Sequence, residues 1–375
     1  MRILHTSDWH LGRIFHGHLL TEDQAFLLEQ IESFIEDFKP DVILNCGDIF
    51  DRSMPPKEAV ELLDEHLSKI ISTYKVPYIL IAGNHDSPER LSFLSKIVQK
   101  SSLFISGKAE KENMPVILSD KDGEVCFYPL PYTEIETARL LYKDTKIKTH
   151  EELIKKQTSS IMAGHPPQKR SVLVAHIFVR GSQNCESERP LSIGGSEMVS
   201  SSVFEAFNYT ALGHLHKNQK AEKNSIRYSG SLMKYSLSEA EHEKSVNLIE
   251  LKKDGTISAE ERKLFPKRDL RKIRGNLDDI LKNHEKSEDY LSFELLDESV
   301  LYEPMRRLRE KYPNAISIER INKPENSSQS AMPDVRKSTE LEIYTALKQY
   351  KENGKKPSRK ELLYFQNILN EIRAS

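Results

Sequence analysis

Short polar clusters in this sequence contain the residue types that bind divalent metal ions. Each cluster follows an apolar run of the kind that forms a buried strand, so these side chains are expected at strand ends. Carboxylate, amide and imidazole groups together suit manganese, iron or zinc better than magnesium or calcium. The predicted metal ligands are Asp8, His10, Asp48, Asn84, His176, His214 and His216.

Asp48 has the central position in this prediction. It follows the apolar run at residues 42–44, and Gly47 lets the backbone bend sharply just before it. Because a carboxylate has two oxygens, Asp48 is predicted to bridge two metal ions. Two ions about 3.5–4 Å apart would activate a water molecule and neutralise charge on a phosphate group.

Other residues of the same loops have chemical roles in this hypothesis. His85 adjoins Asn84 and is predicted to be the acid that protonates the leaving oxygen. Asp51 is expected to orient His85 or to support the ligands from behind. Arg13 and Arg52 flank two ligand loops and are candidates for phosphate contacts, although surface salt bridges explain them almost as well.

Strand and helix patterns alternate at the start of the chain. Apolar residues recur at helical spacing between Glu22 and Phe38, and Pro40 ends that pattern. The βαβαβ order implies parallel strands joined by right-handed crossovers, and ligands bind at the carboxyl ends of such strands. The predicted elements are strands at residues 2–6, from 42 and at 76–82, with helices at 22–38 and about 56–74.

The middle of the chain predicts a second set of strands. Residues 116–130 have a hairpin pattern around Asp120-Lys-Asp-Gly123, and the polar stretch from 135 to about 161 is typical of a helix. The predicted fold class is therefore α/β, a two-sheet sandwich with helices outside. Further strands are predicted at residues 171–175 and 209–212, and strands at 226–231 and 245–251 are expected to complete the second sheet.

The pattern changes after residue 265, which we take as the end of the main domain. Residues 266–322 predict a small α/β domain. Residues 323–337 are polar and are expected to form a linker. Residues 338–375 predict a pair of helices that docks on a partner, because a polar linker separates it from the core. Packing of this pair on the main body is the alternative.

Composition narrows the class of protein. A length of 375 residues predicts two or three domains, and 38% hydrophobic with 30% charged residues fits a soluble protein. A net charge of −2 does not indicate a polycation that wraps nucleic acid, although bound divalent ions would reverse the sign of a carboxylate-rich site. Three cysteines without CxxC spacing indicate neither a disulfide framework nor a zinc ribbon. The polar start and the absence of an apolar run of ~20 residues predict a cytoplasmic protein without signal peptide or membrane contact.

The polar clusters together resemble a known family signature. Asp8-x-His10, Gly47-Asp48-x-x-Asp51, Gly83-Asn84-His85-Asp86, His176 and Gly213-His214-x-His216 resemble the motifs of calcineurin-like metallophosphoesterases. Longer runs are similar to the DNA-repair nuclease family of the SbcD subunits in bacterial SbcC–SbcD complexes. These runs are Thr6-Ser-Asp-Trp-His-Leu-Gly-Arg13, Glu188-Arg-Pro-Leu-Ser-Ile-Gly-Gly195, Ala211-Leu-Gly-His-Leu-His216 and Arg227-Tyr-Ser-Gly-Ser231.

This resemblance implies a two-manganese nuclease. It implies 3′–5′ exonuclease activity on double-stranded DNA ends, endonuclease activity on single strands and hairpins, and His85 as the catalytic histidine. It also implies a homodimer bound to two SbcC-type SMC-like ATPase subunits, which bind the ATP. Residues 266–322 correspond in position to a DNA-capping domain, and 338–375 to the segment that docks on the ATPase coiled coil. The implied ligand sets are Asp8, His10, Asp48 and His216 for one ion, and Asp48, Asn84, His176 and His214 for the other.

Two alternatives stay open. A phosphoesterase acting on a nucleotide, a phosphoprotein or a small diester would use the same metal site, because the ions contact only phosphate oxygens. The extra domain and helix pair argue against it, since a small substrate needs neither. A mainly structural subunit that tethers DNA ends is the other alternative, and the intact ligand set argues against an inactive enzyme.

Overall fold

The first of two large sheets forms around the N-terminal strand. This computed structural model describes residues 1–188, 197–283, 285–321, 339–351 and 355–374. Four neighbouring strands, at residues 2–6, 42–45, 78–81 and 103–106, run parallel, because helical or irregular segments carry the chain back between them. In order across the sheet, the strands are β14 (Ile257–Lys263), β13 (Ser245–Leu251), β1 (Arg2–Thr6), β4 (Val42–Asn45), β5 (Tyr78–Ile81) and β6 (Leu103–Ser106).

The second large sheet is also mixed. Four of its strands, at residues 123–130, 170–176, 209–213 and 226–228, are parallel. A hairpin with the predicted turn at residues 120–123 adds an antiparallel strand at residues 116–120. In order across the sheet, the strands are β11 (Gln219–Lys220), β12 (Ile226–Tyr228), β10 (Tyr209–Gly213), β9 (Arg170–His176), β8 (Gly123–Leu130) and β7 (Val116–Asp120).

Two smaller sheets complete the strands of the described residues. A hairpin pairs β2 (Ile14–Phe15) with β3 (His18–Leu19). A three-stranded sheet has the order β15 (Leu270–Gly275), β16 (Tyr290–Leu295) and β17 (Ala315–Arg320).

Helices connect these strands. The longest, α1, begins after Leu20 and ends at Phe38, where Lys39 adopts a left-handed conformation. A reciprocal capping box between Thr149 and Glu152 starts α6. The helices are α1 (Thr21–Phe38), α2 (Lys57–Lys69, continued by a π-helical turn at Ile70–Tyr74), α3 (Pro88–Leu91), α4 (Ser95–Val98), α5 (Ile135–Tyr142), α6 (His150–Gly164), α7 (Leu277–Asn283), α8 (Pro304–Lys311), α9 (Glu340–Lys351) and α10 (Arg359–Ala374).

Buried apolar cores lie between the layers of strands and helices. Leu44 and Ile79 of the first sheet belong to one buried core with Val172 and Tyr209 of the second. A second core lies on the outer side of the first sheet and includes Leu27 of α1. A third core joins the second sheet to α6. The two-sheet sandwich with outer helices is therefore confirmed.

One strand was assigned to the wrong sheet. The strand at residues 245–251 was expected in the second sheet, but it lies in the first, where Ile249 pairs with Ile3 and Leu248 with Leu4. Its residues are buried on both faces except Glu250, and such a pattern does not identify the neighbouring strand. The predicted helix at residues 135–161 is two helices, α5 and α6, because the chain turns into a left-handed conformation at Lys143.

Two compact units are distinguished among the described residues. The first holds those within 1–273, 285–293 and 305–317, and the second those within 274–283, 294–304 and 318–374. The linker predicted at residues 323–337 lies outside the described residues. Within the described ranges, no helix combines the length and the apolar character that crossing a membrane requires.

Candidate metal centre

The predicted ligands come from the carboxyl ends of five parallel strands in the two large sheets. Each strand ends in a short loop or turn at the same edge of the sandwich, as expected for ligand sites in parallel sheets. Asp8 and His10 follow β1, Asp48 follows β4, Asn84 follows β5, His176 ends β9, and His214 and His216 follow β10.

One group of ligand atoms comes from Asp8, His10 and His216. Their ligand atoms all lie within 4.8 Å of one another, and all three residues are buried. The Nε2 atoms of His10 and His216 are 3.0 Å apart. The backbone N–H of His214 donates to Asp8 Oδ1 at 2.9 Å, so the loops after β1 and β10 hold each other in place.

A second group comes from Asp8, Asp48 and His176, again within 4.8 Å. Asn84 joins it, because its Oδ1 lies 2.9 Å from His176 Nε2 and 3.2 Å from His214 Nδ1. Asp48 Oδ2 is 3.4 Å from His176 Nε2 and 3.8 Å from His10 Nε2. Asp8 belongs to both groups, and Asp48 of the second group also approaches His10 of the first, as a bridging ligand would.

The hydrogen bonds of these side chains fit a cation. His176 Nδ1 lies 2.8 Å from the carbonyl oxygen of Cys46 and donates to it, so Nε2 is the atom that faces Asn84 and Asp48. The ring and carboxylate atoms that converge here are mostly acceptors, which repel one another unless a positive charge lies among them. The described residues offer no hydrogen-bond partner to two buried atoms of the group, His10 Nδ1 and Asn84 Nδ2.

The protonation states show the same demand for positive charge. Burial raises the pKa of Asp8 to about 8, although His176 opposes the rise. Burial also favours a higher pKa for Asp48, but the effect of His176 is larger and holds the pKa of Asp48 well below its usual range. Burial lowers the pKa of His176, whereas the adjacent Asp48 carboxylate raises it and prevails, at about 9. A divalent cation bound here would replace the protons that Asp8 and His176 otherwise retain.

Burial disfavours the charged form of the other three predicted ligand imidazoles. Burial lowers the pKa of His10, His214 and His216 below the usual value for histidine. Neutral imidazole is the form that binds metal ions. The donor set, with carboxylate, amide and neutral imidazole groups, therefore fits a divalent metal centre.

Backbone strain is concentrated at the same residues. Asp8, His10, Asp48 and His214 have φ angles of 52°, 46°, 50° and 101°. Positive φ values are uncommon for residues other than glycine and often mark functional sites. Only glycine fits at position 83, because a Cβ there would lie 2.1 Å from Asp48 Oδ1.

His85 and Asp51 lie beside the ligands. His85 Nδ1 lies 2.8 Å from the backbone carbonyl oxygen of Asp51 and donates to it, which leaves Nε2 free. The Asp51 side chain instead lies 3.7 Å from His10 Nδ1 and accepts a hydrogen bond from Arg13 at 3.0 Å. The ring centres of His85 and His10 are 4.7 Å apart.

The comparisons with known proteins decide the family. Residues 1–218 match the calcineurin-like phosphoesterase family, and residues 266–352 match a domain described as the type 5 capsule protein repressor C-terminal domain, SbcD_C. The D subunit of the nuclease SbcCD from Staphylococcus saprophyticus is 37% identical over 321 residues, which cover 85% of this chain and 84% of that protein. This chain belongs to the SbcD family of calcineurin-like phosphoesterases. The predicted class of enzyme, a metal-dependent nuclease hydrolase, is thereby confirmed.

Two solved structures are more distant. A dimetal phosphatase from Danio rerio has a TM-score of 0.43 at 12% identity, covering 70% of this chain and 96% of that one. A protein of Thermus thermophilus has a TM-score of 0.38 at 13% identity, covering 69% of this chain and 98% of that one. Both scores are too low to add to the assignment.

Arg13 and Arg52, the predicted phosphate contacts of this SbcD-family chain, differ in setting. Arg13 pairs with Asp51, and its guanidinium lies over the ring of Tyr235, 5.0 Å from the ring centre. Arg52 is exposed.

Asp86 has a structural role that the sequence interpretation did not assign. Its carboxylate accepts hydrogen bonds from the backbone N–H groups of Ile49, Phe50 and Gly83, at 2.9–3.1 Å. It thereby ties the Asp48 loop to the loop that carries Asn84. Its place in the Gly-Asn-His-Asp run was the available signal.

Gln24 of α1 is a second residue of the SbcD-family site that the sequence interpretation missed. Its amide nitrogen donates to the carbonyl oxygens of Trp9 and His10 at 3.1 and 2.8 Å, and its oxygen accepts from Gly12 N–H at 3.1 Å. Gln24 thus holds the loop after β1 from behind. No local motif marks it, because the contact depends on how α1 packs.

A further cluster of metal-binding residue types is already satisfied. Cys185, Glu239 and His242 have ligand atoms within 4.8 Å of one another. The Glu239 carboxylate, however, accepts from Lys244 Nζ at 2.5 Å and from the backbone N–H of Tyr235 at 3.1 Å. The lysine supplies the positive charge, so this cluster does not need a metal ion.

Proposed function

We propose that this chain is a nuclease subunit that hydrolyses DNA phosphodiester bonds with two divalent metal ions, which are proposed to be manganese because the family resemblance implies it. Magnesium, iron and zinc are the other candidates. The observation that carries the proposal is the position of Asp48 Oδ2, between the imidazoles of His10 and His176 at 3.8 and 3.4 Å. A carboxylate that reaches both groups of ligands could bridge two ions held close together.

The proposed ligands divide into two sets that share Asp48. When bound, such ions activate water and neutralise the negative charge that develops on a phosphate. The protein supplies rigid loops, set by strained backbone and close contacts, that keep the donors in place. One ion would be held by Asp8, His10, Asp48 and His216, and the other by Asp48, Asn84, His176 and His214.

His85 is the proposed proton donor to the leaving oxygen. Because Nδ1 donates to the carbonyl of Asp51 at 2.8 Å, Nε2 is the ring atom that can pass a proton to substrate. The proposed part of Asp51 is to hold His85 through its backbone and to hold Arg13 through its carboxylate.

Arg13 and Arg52 are the proposed contacts to DNA phosphates. Arg13 is fixed by Asp51 beside the ligands, and the ion pair leaves other guanidinium N–H groups to donate. Arg52 is exposed one residue further along the Asp48 loop. Both would attract the phosphate backbone without regard to base sequence.

A homodimer is proposed through the helical region at residues 56–100. Large apolar side chains are exposed there within the first compact unit. Val60 is 46% exposed, Phe93 74%, Leu94 49% and Ile97 64%. These exposed apolar side chains support a protein interface in this region.

The C-terminal helices are proposed to dock on the coiled coil of an SbcC-type SMC-like ATPase. The ring of Tyr344 in α9 stacks on Phe365 in α10, with centres 4.2 Å apart. The pair still exposes Leu363 by 58% and Tyr364 by 71%, which leaves an apolar surface for a partner. A pull-down of the ATPase by the chain with and without residues 338–375 tests this docking, and equal capture would contradict it.

The proposed assembly is a cytoplasmic heterotetramer, with two chains of each kind and ATP bound by the ATPase. The relative in Staphylococcus saprophyticus is named as the D subunit of the SbcCD nuclease, which supports a partner subunit here. Residues 1–265 would be the nuclease domain, residues 266–322 a cap over DNA, and 323–337 a linker. The proposed activities are 3′–5′ exonuclease action on double-stranded ends and endonuclease action on single strands and hairpins, in DNA repair and recombination.

The test is cleavage of end-labelled duplex and hairpin DNA by the purified chain with manganese, magnesium or a chelator. Manganese-dependent cutting that Asp48→Asn abolishes is the expected result. Cutting only after the ATPase and ATP are added would support a gated nuclease. Turnover of a small phosphodiester with no DNA cleavage under any condition would overturn the proposal, and DNA tethering without any hydrolysis would do the same.

A further inference from the structure

His216 is held by the protein at each polar atom except one. Its backbone N–H donates to Glu188 Oε1 at 2.7 Å, and its carbonyl oxygen accepts from Lys244 Nζ at 2.7 Å. Its ring Nδ1 lies 2.8 Å from the hydroxyl of Ser187. The atom that remains is Nε2, which faces His10.

The hydroxyl of Ser187 fixes the tautomer of this ring. Ser187 donates its single hydrogen to Glu239 Oε1, so toward His216 it can act only as an acceptor. The hydrogen between them therefore belongs to His216 Nδ1. The lone pair of the neutral ring is then at Nε2, the atom directed into the candidate metal centre.

Glu239 is placed to remain an anion behind Ser187. It is 0% exposed, yet Lys244 Nζ lies 2.5 Å from Oε2. The second oxygen also accepts from the hydroxyl of Ser236 at 3.0 Å. A buried carboxylate with a lysine partner and several donors is the arrangement that keeps its charge.

His176, one of the two histidines proposed for the other ion, has a weaker support. His176 Nδ1 donates at 2.8 Å to the backbone carbonyl of Cys46, which is a neutral acceptor. Hydrogen bonding of a ligand imidazole to an anionic acceptor makes its free nitrogen a stronger donor to a metal ion. His216 receives this effect from Glu239 through a hydroxyl, and His176 does not.

We propose that Ser187 and Glu239 are positioning residues that fix His216 as an Nε2 metal ligand and strengthen the ion held with Asp8 and His10. This inference rests on the proposed two-ion function. It also gives a use to the run that begins at Glu188, because Ser187 and Glu188 together hold the ring and the backbone of one ligand. The rest of that run, residues 189–195, lies outside the described residues.

Calorimetric titration of the full chain with Mn²⁺ tests the proposal. Ser187→Ala removes the acceptor of His216 Nδ1, and we expect it to weaken one of two binding steps about 10- to 100-fold while the other is unchanged. Ser187→Thr keeps a hydroxyl and should restore the weakened step. Ser236→Ala is the matched control, because it removes a donor to the same carboxylate without touching His216.

The outcomes separate this inference from the proposed function. Two wild-type binding steps, with one weakened in Ser187→Ala and restored in Ser187→Thr, support it. Equal affinities in the wild type and Ser187→Ala, or equal losses in Ser187→Ala and Ser236→Ala, would overturn it and leave the two-ion centre standing. Fewer than two ions on the wild-type chain would overturn the two-ion centre as well.

Discussion

The ring of His85 is oriented by the backbone of Asp51 and not by its side chain. His85 Nδ1 donates to the Asp51 carbonyl oxygen at 2.8 Å. Because the acceptor is a backbone atom, a change of the Asp51 side chain alone would leave this hydrogen bond in place. The carboxylate is free for a different task, which it performs with Arg13.

His85→Ala tests the proton transfer. We expect DNA cleavage to fall about 10²- to 10⁴-fold, the usual contribution of a general acid, because no other group would donate from this position. Manganese binding should be retained, since the proposed ligand sets do not include His85. Rates from single-turnover cleavage together with a metal titration check this, and full activity in the variant would contradict it.

Asp51→Ala gives a contrasting result with the same assay. The His85 ring should keep its orientation, whereas Arg13 loses its 3.0 Å partner. We expect a smaller loss of cleavage than in His85→Ala, with weaker binding of DNA. An equal loss of the chemical step in both variants would mean that the Asp51 carboxylate acts on His85 after all.

Gly83→Ala should damage the metal centre without changing any ligand. The added Cβ would lie 2.1 Å from Asp48 Oδ1 and 2.3 Å from Asp48 N, so the Asp48 loop must move. We expect a loss of about 1–3 kcal/mol in the free energy of unfolding and weaker Mn²⁺ binding. Gly164→Ala in α6 is the control, because a Cβ there meets no atom within 4 Å. Denaturant unfolding and calorimetric titration with Mn²⁺ compare the two variants. Equal unfolding free energies and equal Mn²⁺ affinities would refute the steric argument.

Two adjacent carboxylates of α1 should differ in their effect on stability. Asp23 is fully buried and accepts from Arg268 Nε and from the hydroxyl of Tyr290, both at 2.8 Å. Asp23→Ala leaves these donors without their acceptor and should cost on the order of 3 kcal/mol. Glu22 also pairs with Arg268 but is exposed to solvent, so Glu22→Ala should have a much smaller effect. Equal unfolding midpoints for the two variants would be evidence against this difference.

His5 should make the fold sensitive to acid. Burial lowers its pKa from 6.5 to about 3, although a hydrogen bond with the Leu212 carbonyl opposes this. Because the unfolded pKa is the higher one, the unfolded state binds more protons between pH 3 and pH 6.5. The contribution to stability is therefore present above pH 6.5 and is lost as the pH falls toward 3, by at most about 1.4 kcal/mol per pH unit.

The measurement is the free energy of unfolding against pH for the wild type and His5→Gln. Glutamine does not titrate, so the slope in this window should decrease in the variant. Parallel curves would show that other groups cause the acid sensitivity.

The sequence predicted which strand ends would meet. Apolar runs followed by Asp, Asn or His identified β1, β4, β5, β9 and β10, because parallel strands bring their carboxyl ends to one edge. The sheet to which each strand belongs was harder to predict. The strand at 245–251 was placed in the wrong sheet, since burial on both faces does not reveal which strand lies beside it.

The residues that hold the ligands were harder to predict than the ligands themselves. Gln24 and Glu239 act through contacts that depend on how helices and loops pack. Gln24 is 14 residues from His10 along the chain, and Glu239 is 52 residues from Ser187. Their residue types are common on surfaces, so a sequence pattern does not distinguish them. Asp86 was within a recognised motif, but its three backbone hydrogen bonds become visible only when the two loops meet.

The most direct test of the account is the anomalous scattering of Mn²⁺ in crystals of this chain. The account predicts two peaks about 3.5–4 Å apart, with Asp48 bound to both, His10 and His216 on one side, and His176 and Asn84 on the other. A single peak, or two peaks of which only one contacts Asp48, would contradict the shared-carboxylate centre from which the proposed nuclease function follows.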